Sequence, residues 1–208
     1  MLKIGLEKEV FLTDDKDNII EPAQYGLATD ECGYLAELRS IPSSDPYKVA
    51  YSLIMEIAKL EDQINKIDGL YISRANYMKV KPKIASNFLR SYGKHSSHVF
   101  NLYGNRKPYS LTFLRAGIHV HFSDCEEHTY TNNSGTTSSY TTQSQLNMPL
   151  IIRRMDEKFK DYILKAKRQL GEYEMKAHGF EYRSLPTCMD LLEVAKVSME
   201  VLSKSQGE

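Results

Sequence analysis

Residues 3–12, KIGLEKEVFL, alternate with a two-residue period: Ile4, Leu6, Val10 and Leu12 fall on one face, and Gly5, Glu7, Glu9 and Phe11 on the other. That is the pattern of a β-strand with two unlike faces. A polar turn at 14–18 predicts a hairpin leading to a second strand over 34–40, YLAELRS, which stops before Pro42. Over 46–68 the apolar positions change to helical spacing (Val49, Leu53, Ile54, Ile57, Leu60, Ile64, Ile67), with Gly69 placed where a cap would sit. Residues 70–80 predict a third strand, whereas 81–108, rich in Ser, Asn, Gly and Tyr, hold no sustained period and predict a long loop with short helical pieces. The run LTFLRAGIHVHFS at 111–123 predicts a central strand with Arg115, Gly117, His119 and His121 on one face. Residues 129–145 are Ser/Thr/Asn-rich, almost without aliphatic side chains, and read as a flexible insertion. A helix over 149–170, a strand over 178–185 (HGFEYRSL) and a closing helix over 188–202 complete the pattern. The fold class expected is α+β, a mostly antiparallel sheet with helices packed on one face, in a single domain over 1–208.

Composition narrows the function more than the fold. Lys plus Arg and Asp plus Glu both number 27, and a balanced chain lacks the positive field that drives non-specific nucleic-acid binding. No apolar run approaches membrane-spanning length, and the acidic residues of MLKIGLEKEVFL interrupt any signal-peptide core, so a cytoplasmic protein without a membrane partner is expected. Cys32, Cys125 and Cys188 are odd in number and widely spaced, which fits neither a disulfide framework nor a zinc pattern. Self-association into a homo-oligomer is left open.

Four of the expected strands carry a polar pair two residues apart: Glu7/Glu9, Glu37/Arg39, His119/His121 and Glu181/Arg183. A single pair of this kind is ordinary on a solvated sheet face. Four pairs on strands of one sheet would converge into a concavity lined by carboxylates, imidazoles and guanidiniums. Gly5, Gly117 and Gly179 each precede a pair by two residues on the same face, and glycine there would leave room for a ligand to approach the backbone. Carboxylates with imidazole and no cysteine cluster favour Mg²⁺ or Mn²⁺ over zinc, and two Arg beside such ions suit a phosphate. Metal, Arg and phosphate together point to phosphoryl transfer, while the lack of a Walker or dinucleotide fingerprint disfavours P-loop and Rossmann readings.

The segments GLEKEV, DECGYLAELRS, RAGIHVHF and RQLGEYEMKAHGFEYRSLP, in this order over most of the chain, resemble the glutamine synthetase and glutamate-cysteine ligase superfamily, in particular its phage-type branch of carboxylate-amine ligases (amidoligases). The resemblance implies a glutamine-synthetase-like catalytic sheet, ATP and Mg²⁺ (or Mn²⁺) as cofactors, small-molecule carboxylate and amine substrates, and the host cytoplasm as location if the chain is phage-encoded. It implies that Glu7, Glu9, Glu37, His119 and Glu181 hold metal. By the same resemblance His121, Arg183, Lys176 and Arg168 face the nucleotide, and Arg39 or Arg115 holds the substrate carboxylate. Arg183, Arg168 and Asp30 would act in catalysis, Asp30 or Glu31 by taking the proton of the incoming ammonium. Such enzymes convert a carboxylate into an acyl phosphate that an amine attacks, and both steps build negative charge that divalent ions and Arg stabilise. At the step where that branch often carries a further Arg, this chain has Glu174, so one phosphate contact is not expected there.

Outside this constellation, His95, His98, His128, Lys94 and Arg106 fall in loop-like stretches and read as surface residues, and Cys188 as a small apolar packing residue. Two other readings use the same residues: a metal-dependent hydrolase, which needs no ATP, and a non-catalytic binding or assembly module on the same fold.

Overall fold

A computed structural model describes residues 1–29, 33–80, 98–104, 113–125, 127–131, 137–141 and 144–206, with the backbone alone for 127–131 and 137–141. The expected carry-over to Asp30, together with Glu31, Cys32, Lys94, His95 and Arg106, lies outside the described residues.

The organising element is β1, Lys3–Asp14. Its first half pairs with β8 (Gly117–Ser123) on one side and β3 (Ala36–Arg39) on the other. Its second half pairs with β2 (Ile19–Ile20) and β4 (Leu70–Ser73). From β8 the sheet continues through β12 (Gly179–Pro186) and β11 (Glu172–Lys176) to β6 (Val99–Asn101), every pairing antiparallel. The β1–β2 hairpin turns where the polar stretch predicts: the Asp14 carboxylate accepts from the Lys16 and Asn18 N–H groups at 2.9 and 2.8 Å, an Asx-type closure.

Three helices among the described residues cover one face. The helix α1, Pro46–Ile64, starts where the Asp45 carboxylate accepts from the Tyr47 N–H and Pro46 occupies the first turn. In α2 (Met148–Lys165) and α3 (Leu191–Lys204) the caps are Asn147 and Asp190. Their buried sides (Val49 and Leu53 of α1, Ile152 and Phe159 of α2, Val194 and Leu202 of α3) close on Ile4, Leu6, Val120, Phe122, Phe180 and Tyr182 of the sheet. The polar residues of the same strands therefore point to the other side of the sheet, away from the helices. The fold is α+β with a mostly antiparallel open sheet and helices on one face of it, as the periodicity predicts.

Several local features differ from those expected. The expected third strand over 70–80 is two, β4 and β5 (Tyr77–Lys79), and the central run breaks at Ala116, so that β7 (Phe113–Arg115) leaves the main sheet and pairs with β5. The stretch read as loop contains β6, an edge strand too short to show a period. Overlapping the Ser/Thr-rich tract, β9 (Glu127–Thr131) and β10 (Thr137–Thr141) pair as a hairpin. Gly69 does not cap α1, which ends at Ile64; its positive φ of 73° turns the chain into β4. Cys188 is exposed rather than packed, 3.5 Å from the Asn76 amide that donates to it.

Candidate metal centre

Sheet register decides which polar residues meet. One row across the sheet reads Arg39, Glu7, His119, since Glu7 lies opposite Arg39 of β3 and His119 of β8. The next row reads Gly5, His121, Glu181, Glu174, through β1, β8, β12 and β11. Glu37 stands opposite Glu9. An irregularity in β12 after Tyr182 sets Arg183 at the boundary between the rows. The four pairs named from sequence thus come from four neighbouring strands of one sheet.

This face is not solvated: Glu7, Glu9, His119 and Glu181 are all buried. Burial forces partnership, because an unpaired charge there is costly. The His119 ring is held between carboxylates, its Nδ1 3.0 Å from Glu7 Oε1 and 2.9 Å from Glu181 Oε1, its Nε2 3.5 Å from Glu9 Oε2. The Gly117 N–H donates to Glu9 Oε2 at 3.0 Å. His121 Nε2 is 3.4 Å from Glu7 Oε2. Toward the outer strand, Lys176 Nζ of β11 lies 2.7 Å from Glu174 and 2.9 Å from Glu181, and Arg183 Nη1 of β12 lies 3.2 Å from Glu174 and 2.5 Å from Glu181. At the opposite rim Arg39 donates through Nε to Glu7 Oε2 at 3.1 Å and pairs with Glu37.

The proton affinities follow from this crowding. Burial raises the Glu7 carboxyl, but hydrogen bonds from His119 and His121 outweigh it and hold Glu7 well below the usual carboxylate range. Burial likewise raises Glu181, and the Arg183, His119 and His121 charges bring it down again. Glu37 goes the other way, pushed up to about 7 by burial and by the Glu7 charge, with Arg39 opposing. His119 is lowered by burial and by Arg183, yet Glu9 and Glu181 carry it up to about 9. His178 is pushed down by burial and by the neighbouring His121 and Lys176.

Among the described residues, one group of carboxylate and imidazole side chains converges closely enough for a cation: Glu7, His121 and Glu181, whose ligand atoms all lie within 4.8 Å of one another. Two carboxylates and one imidazole, with no sulfur, form a hard donor set that fits Mg²⁺ or Mn²⁺. The resemblance gives the metal-binding imidazole as His119. In the structure His121 joins the triad, and His119 sits behind it, orienting Glu7 and Glu181 as a carboxylate-bonded second layer. Glu9 and Glu37 lie one step further along β1 and β3.

Two of the expected arginines take other places. Arg168 donates from Nε to Ser184 O at 3.1 Å, from Nη1 to Ala116 O at 2.9 Å and from Nη2 to Arg183 O at 2.6 Å. It ties β12 to the break between β7 and β8. Gly117 makes room for that guanidinium: a Cβ there would stand 2.7 Å from Arg168 Nη2. Gly179, at φ 145°, would place a Cβ 2.1 Å from the Phe122 carbonyl oxygen. Both glycines therefore serve the protein's own packing rather than the approach of a ligand. Arg115 stands on β7, outside the two rows. Gly117→Ala is expected to lower stability by about 1–3 kcal/mol through lost charge-assisted bonds to carbonyls. Arg168→Ala should cost a similar amount, and the double variant less than the sum; chemical denaturation of the three variants checks this.

Sequence reasoning missed His178 and the role of Glu174. The His178 ring, on the turn between β11 and β12, lies 5.7 Å from that of His121. The run HGFEYRSL puts His178 on the opposite face from Gly179, Glu181 and Arg183, whereas the strand starts at Gly179 and leaves His178 on the turn. Glu174, where no phosphate contact is expected, is a counter-charge to Lys176 and Arg183. Beside the second row opens a cleft of about 600 Å³, lined by Lys3, Gly5, Arg39, Pro42, His121 and His178 among others. His98 is exposed, as expected of a surface residue. No family model, curated protein or solved structure matches this chain.

Proposed function

We propose that this chain is a Mg²⁺-dependent, ATP-consuming carboxylate-amine ligase with a glutamine-synthetase-like sheet, acting in the cytoplasm on small-molecule substrates. The observation that carries the reading is the convergence of Glu7, His121 and Glu181 within 4.8 Å on a buried sheet face, flanked by Lys176 and Arg183 on one side and Arg39 on the other. The flanking cations suit a phosphate-bearing ligand, which a polyphosphate such as ATP is, and a hydrolase acting on a substrate without phosphate would have no need of them.

When bound, the divalent ion supplies a Lewis acid to phosphate oxygens, and ATP supplies the phosphoryl group that makes a carboxylate electrophilic. Glu7, His121 and Glu181 are the residues that would hold the ion. Lys176 and Arg183 would meet phosphate oxygens, and Lys176 keeps its charge because Glu181 and Glu174 more than offset the effect of burial. His119 holds its proton between Glu7 and Glu181 and fixes both carboxylates in position. In this reading Arg39, its side chain 71% exposed at the lip of the cleft, takes a substrate carboxylate in exchange for Glu37. The cleft volume suits a ligand of small-molecule size.

Calorimetric titration with a non-hydrolysable ATP analogue tests the reading. Binding is expected with Mg²⁺ or Mn²⁺ and not in chelator. Nucleotide binding that ignores the cation, or none under either condition, would count against it and favour a non-catalytic module.

A further inference from the structure

The outward side of α1 carries a stripe of large apolar side chains in water. Tyr47 is 58% exposed, Tyr51 65%, Ile54 47% and Met55 41%. The core residues of this helix, Val49, Leu53, Leu60 and Ile64, point to the sheet, so the stripe faces directly away from the carboxylate face. Together the four side chains present on the order of 400 Å² of largely apolar surface, the size at which a patch on a single-chain surface is commonly functional. A groove of about 440 Å³ between Tyr47, Tyr51, Ile54 and Leu192 extends it toward α3. The Lys196 ammonium, 4.7 Å above the Tyr47 ring, holds one edge in place.

Charge along the stripe is arranged about its middle. Lys48, Met55 and Asp62 are seven residues apart and so lie on one side of the helix, with Tyr51 and Ala58 between them at the intermediate positions. All five are exposed. The apolar residues thus occupy the centre, with Lys48 at one end and, at the other, Asp62, whose carboxylate also pairs with Lys66 of the next turn at 2.6 Å. A second α1 laid antiparallel and centred on Met55 puts Lys48 of each copy against Asp62 of the other, while Ala58 lets the two backbones approach beside Tyr51. A parallel copy would set Lys48 against Lys48. The antiparallel arrangement also opposes the two helix dipoles.

We propose that this face of α1 is a twofold interface with a second copy of the same chain, antiparallel and centred on Met55. The inference stands independently of the ligase reading. The patch is smaller than the roughly 800 Å² per partner of a standard stable interface, so a reversible dimer with a dissociation constant on the order of micromolar is expected.

Sedimentation velocity of the full chain from about 1 to 200 µM tests it, since that range brackets a micromolar constant. A concentration-dependent shift from one copy to two is expected. Tyr51→Glu should weaken the dimer by at least about tenfold, as a central aromatic anchor does. Lys48→Glu and Asp62→Lys should each weaken it, and the double variant should recover most of the loss, because it restores the pair with reversed sign. A chain that stays single at every concentration would overturn the proposal. So would a dimer indifferent to Tyr51→Glu, or one weakened further by the double charge swap. All three sites are exposed, so circular dichroism is expected to show folded variants.

Discussion

Glu181→Gln is expected to lower ligase turnover by more than about 100-fold while circular dichroism stays unchanged, because even the outer-layer partners of metal ligands are worth about 10–100-fold. Glu181 is the residue at which the whole site meets. It lies opposite His121 in the β8–β12 ladder and Glu174 in the β12–β11 ladder, and its two oxygens contact His119, Arg183 and Lys176 at 2.9, 2.5 and 2.9 Å. Gln keeps the shape and one acceptor but removes the negative charge that a divalent ion requires. Glu174→Gln provides the comparison. Glu174 sits one strand further out and balances Lys176 and Arg183 without belonging to the triad, so its loss should cost about tenfold. Steady-state ADP release from the two variants and wild type reads the difference. Equal losses for Glu181→Gln and Glu174→Gln would remove the special place given to Glu181.

Mn²⁺ or Mg²⁺ is expected to raise the melting temperature. A cation present at 100 times its dissociation constant adds about 2.7 kcal/mol to stability, which for a chain of this size is a rise of roughly 5–10 °C. Glu7 and Glu181 are already out of water and held ionised by His119, His121 and Arg183, so no proton has to leave either carboxylate before a cation binds. His121→Ala and Glu7→Gln should each abolish the rise, whereas Glu37→Gln, one step away on β3, should leave most of it. Differential scanning calorimetry with and without chelator makes the comparison. An undiminished rise in His121→Ala would place the cation elsewhere.

Much of the site was legible because a β-strand writes its faces into the sequence at a period of two. Glu7/Glu9, His119/His121 and Glu181/Arg183 were read as same-face pairs, and antiparallel register then brought their strands together. Register itself has no local signature. Nothing in the run RAGIHVHF says that His121, opposite Gly5 and Glu181, joins the carboxylate triad while His119, opposite Glu7, stands behind it. The glycines show a second limit: the need for a small residue at 117 and 179 is visible, but whether Arg168, the Phe122 carbonyl or a ligand fills the space is a tertiary fact. Similarly, the apolar turns of α1 read as core spacing from Val49 to Ile64, yet Ile54 lies outside the buried arc. β6 and the β5/β7 pair escaped because strands of three residues are shorter than the period needed to detect them.

The central claim is that the Glu7–His121–Glu181 face couples ATP to amide formation. ADP release with Mg²⁺-ATP and a panel of amino-acid and other carboxylate and amine substrates tests it most directly. The expected result is ADP formation that requires the divalent ion, a carboxylate and an amine together, with an amide product in equal amount. Folded protein that binds the cation yet forms no ADP across the panel, or that cleaves substrates with the metal alone, would contradict the account.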